Sequence, residues 1–142
     1  MDLSPFTPSE LAYLASQRLG RLATVAPDGT PQNNPVGFFY NDQEGTIDIY
    51  GLNLGGTRKF RNLRINPNVA LVVDDLASLD PWEVRGIEIR GPAQALDGQD
   101  PPMAAMSRQV IRIRPRRIIS WNVDPSQPGM HGRAVDEPSE VA

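Results

Sequence analysis

The chain has 142 residues, a formal net charge of −3 and a pI near 5.1. That is one domain's length, enough to bury roughly 70% of the unfolded surface, and its acidity argues against a general binder of nucleic acid or membrane surfaces. With no cysteine and one histidine, His131, it excludes disulfides, thiolate catalysis and zinc–thiolate centres, and it argues against a Ser-His-Asp triad or a multi-histidine metal site.

Taken in order, Thr7-Pro8-Ser9-Glu10 reads as a capping box with proline at the first helical position. The helix it starts has Leu11, Leu14 and Ala15 on one face and ends at Gly20. Arg21 to Ala26 reads as a strand and Pro27-Asp28-Gly29 as a turn. A second strand runs through Val36 to Tyr40, with Pro31 and Pro35 marking an edge or a departure from the ladder. Asn41 to Gly45 is a turn and Thr46 to Gly51 a third strand. A basic helix is expected from about Gly56 to Ile65, stopped by Asn66-Pro67-Asn68. Val69 to Val73 is an apolar run expected to be buried on both faces.

A loop around Asp80-Pro81-Trp82 leads into a long strand from about Glu83 to Leu96. A proline-rich insertion expected to hold a short helix follows, then a final strand from about Val110 to Asn122. The pattern predicts a mainly β, largely antiparallel barrel of six strands over residues 1–122, with a polar, flexible tail over 123–142. No basic start with an apolar run and no stretch near ~18 apolar residues is present, so a soluble, cytoplasmic protein is expected.

The chemistry concentrates in one segment. Between Ile49 and Val73 there is no acid, while Arg58, Lys59, Arg61 and Arg64 follow Gly55-Gly56-Thr57, and Lys59 is the only lysine. A glycine-rich turn opening into a helix with basic groups at its start suits a phosphate group; a solvated helix face is the alternative. No Walker-type or dinucleotide-binding glycine motif is present.

Strand parity sets Arg85 on the face of Ile87 and Ile89, and Arg117 on the face of Ile111, Ile113, Ile119 and Trp121. A cation on an apolar face needs a partner, so each arginine either joins an intramolecular or subunit-interface ion pair or completes an anion site. Trp82 and Trp121 either pack in the core or stack on a planar ring.

Gly29-Thr30-Pro31-Gln32-Asn33-Asn34-Pro35-Val36, Thr57-Arg58-Lys59, Asn66-Pro67 and the Val69–Val73 strand together resemble the pyridoxamine-phosphate-oxidase-like split-barrel superfamily. Leu19-Gly20-Arg21-Leu22-Ala23-Thr24, Val72-Val73-Asp74-Asp75, Asp80-Pro81-Trp82 and the run from Pro115 to Trp121 are similar to its actinobacterial flavin/deazaflavin oxidoreductases that use cofactor F-420. The subgroup includes reductases of tetracycline-type antibiotic pathways, and the resemblance spans about Phe6 to Asn122.

It implies an FMN-binding-like, six-stranded split barrel that forms a homodimer with cofactor sites at the interface. By the same resemblance Thr57, Arg58 and Lys59 hold the cofactor phosphate. Asn33, Asn34, Pro35 and Val36 lie along the ring, and Tyr50 and Gly51 meet the ribityl chain. Trp82 and Arg85, with Arg117 and Trp121, reach the site from the partner subunit. The oxidases carry a side-chain amide on the fifth strand where this chain has Gly86, which speaks against pyridoxamine-phosphate oxidation itself.

Cofactor F-420 continues beyond its phosphate into an oligoglutamate tail, and Arg61 and Arg64 suit that tail. The implied activity is hydride transfer to a conjugated, electron-poor small molecule, with no metal and no nucleic-acid or membrane partner. An FMN-dependent oxidoreductase on the same fold, or a cofactor-binding protein without turnover, are the alternatives. The proton after hydride transfer comes from Tyr40, Tyr50, a carboxylic acid or water.

Overall fold

A computed structural model describes residues 4–136. The first helix, α1 (Pro8–Ser16), starts as the capping box requires: Thr7 Oγ1 accepts from the Glu10 amide at 3.1 Å and Glu10 Oε1 accepts from the Thr7 amide at 2.9 Å.

The strands are β1 (Leu19–Val25), β2 (Pro31–Gly37), β3 (Phe39–Asn41), β4 (Thr46–Ile49), β5 (Asn68–Leu79), β6 (Trp82–Leu96), β7 (Val110–Ile113), β8 (Arg117–Trp121) and β9 (Met130–Ala134). Every pairing is antiparallel. One sheet runs β2-β1-β5-β6-β8-β9 and the other β6-β7-β4-β3, so β6 belongs to both. The mainly β antiparallel class is as expected. The strand count is larger because two expected strands are each broken in two and β9 is added.

The long strand changes partners at Gly91. Gly86 to Arg90 pair with β8, and Ala93 to Leu96 pair with β7. A Cβ built on Gly91 would lie 2.0 Å from the Arg114 carbonyl oxygen, so only glycine admits this approach. Arg114 N donates to Pro92 O at 3.0 Å and Arg116 N to Arg90 O at 2.8 Å. Pro115, which has no N–H to offer, sits between them and is buried.

This corner corrects the parity expected for a single last strand. Ile111 and Ile113 are in the core before it, and Ile118 and Ser120 after it. Arg117 is therefore exposed, and Ile119 and Trp121 sit half-buried on the outer face with it. The core itself is a set of β-branched and leucine side chains, with Leu71, Val73, Ile87, Ile89, Ile111, Ile113 and Ile118 all at 0% exposure. On β5 burial alternates. Val69, Leu71 and Val73 are buried while Ala70 and Val72 stay half-buried, so the expectation of two fully buried faces is corrected to one.

The basic helix is shorter than expected. A 3-10 turn, Leu54–Gly56, precedes α2 (Arg58–Asn62). The insertion between β6 and β7 holds turns instead of the expected helix. Pro101 and Pro102 have no amide hydrogen, and Ser107 N donates outward to Gly51 O at 2.8 Å.

The tail expectation is corrected as well, within the described part. Met130–Ala134 forms β9 on the edge of β8, while residues 137–142 lie outside the described residues. Arg133 makes a two-toothed pair with Glu10, Nη2–Oε1 2.6 Å and Nη1–Oε2 2.9 Å, and donates to Pro5 O at 2.6 Å. Glu10 is only 2% exposed. Burial pushes its pKa up, but the Arg133 guanidinium and the Thr7 amide outweigh burial and leave the carboxyl below its ordinary value.

Two substitutions test these contacts. Gly91→Ala is expected to destabilise by about 3 kcal/mol, since backbone must move to admit the methyl; urea denaturation measures it. Arg133→Ala strands the buried Glu10 and is expected to cost about 3 kcal/mol, the low end for a broken buried pair, because the guanidinium is partly solvated; a thermal melt read alongside urea denaturation checks it.

Candidate functional site

The acid-free basic segment is seated by one amide. Asn62 is 2% exposed, and its Nδ2 donates to Thr24 Oγ1 at 3.0 Å and Gln32 Oε1 at 2.7 Å. It fastens α2 to both β1 and β2. Phe60, 1% exposed, and Leu63, 5% exposed, bury the rest of that face. Asn62 carries no sequence signal beyond an amide inside a basic and apolar run, because its partners lie 38 and 30 residues away in the chain.

The four cations are used differently. Lys59 makes no hydrogen bond or ion pair among the described residues. Arg58 has the exposed Asp28 as its electrostatic neighbour. Asp28 itself is held below its ordinary pKa mainly by the Thr30 amide. Arg61 Nη1 folds back onto the Gly56 carbonyl at 3.0 Å. Arg64 lies 5.5 Å from the Phe60 ring centre and 3.6 Å from Asp97, both charges being well exposed.

Thr57 is the N-cap of α2. Its hydroxyl donates to Leu54 O at 2.6 Å and accepts from the Phe60 amide at 3.4 Å, so its proton is committed within the turn. A five-residue helix carries little macrodipole. What the segment offers an anion is therefore Lys59, Arg58 and first-turn amides. A cleft of about 480 Å³ runs beside it, between the β1–β2 turn and the Arg58–Arg61 side of α2.

Among the described residues the β2 strand lies at the sheet edge and pairs only with β1. Pro31 and Pro35 stand on it, as an edge permits. Asn33, Asn34 and Pro35 are exposed and Val36 is buried at 5%. The predicted ring-facing strand and the predicted phosphate segment are thus brought together through Asn62.

Tyr50 and Gly51 begin the same loop. Gly51 O accepts from Ser107 N at 2.8 Å and from its hydroxyl at 3.1 Å, and Ser107 Oγ accepts from Leu54 N at 3.0 Å. Tyr50 is half-buried and edge-on to Phe39, ring centres 5.9 Å apart. Burial, then the Asp48 carboxylate, pushes its phenol pKa up. Below it Asp48, 2% exposed, takes Arg112 at 3.1 and 3.2 Å, with Thr46 and Asn41 satisfying its other lone pairs.

The remaining predicted site residues lie elsewhere in the chain. Trp82 is 69% exposed at the β5–β6 hairpin tip, beside the cis Asp80–Pro81 bond. Arg117 and Trp121 stand on β8, on the far side of β6 from β2. Arg85 has an intramolecular partner, Asp75, at 2.7 and 2.8 Å. Tyr13 of α1 and Gln17 just past its end donate to the same carboxylate, Tyr13 at 2.8 Å and Gln17 at 3.3 Å. Gly86 has a packing reason: a Cβ there would meet the Val73 carbonyl at 2.9 Å and Asp74 Cβ at 3.0 Å, which closes the strand to the oxidases' amide. No cluster that could hold a metal ion occurs among the described residues.

The family profile of pyridoxamine 5'-phosphate oxidase matches residues 6–123. A 5a,11a-dehydrotetracycline/5a,11a-dehydrooxytetracycline reductase of Streptomyces rimosus is 44% identical over 133 residues, which is 92% of this chain and 94% of that one. Among solved structures, an F420 reductase superposes with TM-score 0.60 at 26% identity, covering 80% of this chain and 98% of its own. A conserved hypothetical protein of Mycobacterium tuberculosis superposes with TM-score 0.65 at 22% identity over 96% and 95%.

The Arg85–Asp75 pair carries a pH prediction. The Arg85 hydrogen bonds, with help from Tyr13, lower the Asp75 pKa from 3.8 to about 2. A carboxyl depressed on folding stabilises fully above its unfolded value and loses that contribution as pH falls through its folded value. Wild type is therefore expected to exceed Asp75→Asn in stability above about pH 4, and the two to converge toward pH 2. Urea midpoints measured across that range check it.

Proposed function

This oxidoreductase belongs to the pyridoxamine 5'-phosphate oxidase family, and we propose that it is a reductase that uses cofactor F-420 to deliver hydride to a conjugated, electron-poor small molecule. The observation that carries the reading is a Lys59 without a partner among the described residues, with Arg58 beside it, on an acid-free segment pinned by Asn62 against the exposed β2 edge. The Streptomyces rimosus relative is a reductase, and the F420 reductase shares the fold; both support it.

The residues present fit a phosphorylated flavin or deazaflavin. Lys59 and Arg58 supply charge to a phosphate without first having to break an ion pair, each charge-assisted bond contributing about 1.5–3 kcal/mol. Arg61, braced on Gly56 O, and Arg64 extend positive charge toward an anionic tail. The exposed backbone of Asn33 to Pro35 gives a planar ring a flat edge to lie against, and Ser107 fixes Gly51 and Leu54 around the connecting loop. When bound, the group supplies a hydride and the protein supplies position and exclusion of water. Tyr50, a half-buried phenol whose pKa burial raises, and Tyr40 are the candidate proton donors to the reduced acceptor.

The reading includes a homodimer. Leu79 and Trp82, 73% and 69% exposed on the β5–β6 hairpin, are the large apolar side chains such an interface covers. Trp82, Arg117 and Trp121 then reach the partner's site, while Arg85 stays tied to Asp75 and serves the scaffold. It also includes a cytoplasmic protein; among the described residues no helix is long and apolar enough to cross a membrane.

Titration of cofactor F-420 and of FMN into wild type and Lys59→Ala tests the assignment. Tighter binding of F-420 is expected, weakened at least tenfold by the substitution, or about 1.4 kcal/mol. Equal affinity in the two proteins removes Lys59 from the site, and tighter FMN binding makes this a flavin enzyme.

A further inference from the structure

A second cleft, of about 600 Å³, begins at Gly37, the last residue of β2 and the one after Val36. One wall is the α1 face that recurs with the helical period, Leu11, Ala15 and, just past the helix end, Arg18. The floor is the β2–β3 corner, where Phe38 and Tyr40 present half-buried rings. Met103 and Met106 close the other side from the β6–β7 insertion, Met103 being 54% exposed.

Two rings, two thioethers and aliphatic carbon make a bed for a flat apolar molecule, since methionine sulfur adapts its packing to aromatic faces. Among the described residues no acid lines the cleft. Its one charge is Arg18, which is exposed and makes no hydrogen bond or ion pair among the described residues. The volume lies within the usual range for small-molecule sites. The polar cleft between Glu10 and His131, at about 130 Å³, is too small for fused rings, and the cleft beside Arg58 belongs to the cofactor segment.

We propose that this cleft holds the hydride acceptor and selects a flat, fused-ring molecule with one anionic edge, the rings lying on Phe38, Tyr40 and the methionines and the anion meeting Arg18. This rests on the reductase reading above. It also gives the insertion a role: Ser107, which clamps Gly51 and Leu54, is the residue next to Met106, so the insertion that fixes the cofactor loop also builds the acceptor wall.

The probes are an anthraquinone carboxylate and its uncharged primary amide, titrated into wild type, Ala15→Trp and Arg18→Ala. Ala15 and Arg18 are both exposed, and circular dichroism with a thermal melt confirms folding of the variants. Wild type is expected to bind both probes. Ala15→Trp, which fills the cleft, should weaken both at least tenfold, and Arg18→Ala should weaken the carboxylate at least fivefold while leaving the amide unchanged. Both variants should bind cofactor F-420 as wild type does.

Failure of wild type to bind either probe, or wild-type binding by both folded variants, overturns the proposal. Loss of F-420 together with the probes also overturns it, by making the cleft part of the cofactor bed. If wild type binds no F-420 yet the probes respond as expected, the cofactor reading falls and the cleft stands as a binding site for fused-ring anions.

Discussion

One strand serves two sheets, and the rest of the molecule depends on how it turns between them. β6 can change neighbours only where the Arg114 carbonyl meets a residue without a Cβ, at Gly91. Past that point β6 leads through β7 to β4, whose end opens into Tyr50, Gly51 and the basic loop. On its other edge it leads through β5 and β1 to β2. Both halves of the candidate site therefore hang from the same strand by different ladders. A shift at the corner would move the cation-bearing loop relative to the edge strand it must face.

Ladders alone do not close the gap between those halves; single polar side chains do. Asn62 spans α2, β1 and β2; Ser107 spans the insertion and the Gly51–Leu54 turn; Arg112 and Asp48 lock β7 to β4 beneath Tyr50. Each is expensive to leave half-made, and among the described residues no buried side-chain polar atom lacks a partner. Lys59, by contrast, makes no hydrogen bond or ion pair among the described residues. The scaffold arginines Arg85, Arg112 and Arg133 are each closed on a carboxylate.

What the sequence disclosed followed the range of the interactions. The capping box at Thr7–Glu10 and the edge prolines of β2 were legible because their causes lie within a few residues. So was the acid-free segment, a matter of composition. The face of Arg117 was not, because the count from Ile113 to Ile118 passes through a corner that Pro115 makes and Gly91 permits. Nor was β9 legible: Met-His-Gly-Arg-Ala has no apolar alternation, and its exposure runs through nearly every residue. It is held by its ladder to β8 and by Arg133. Asn62 was invisible for the same reason, its value lying wholly in Thr24 and Gln32. The short α2 was overestimated because basic residues continue past the point where Asn62 and Leu63 end the helix.

The clasp between Glu10 and Arg133 joins residues 123 apart in sequence. In a chain made from its N-terminus the capping-box residues emerge together, but the buried carboxylate at its centre has no counter-charge until Arg133 has been synthesised. Before then Glu10 must stay in water or take a proton, since an unpaired carboxylate is not buried. The docking of the first helix is thus complete only once Arg133 is in place beside Glu10. The wall it gives the second cleft is completed only when the last strand closes behind it.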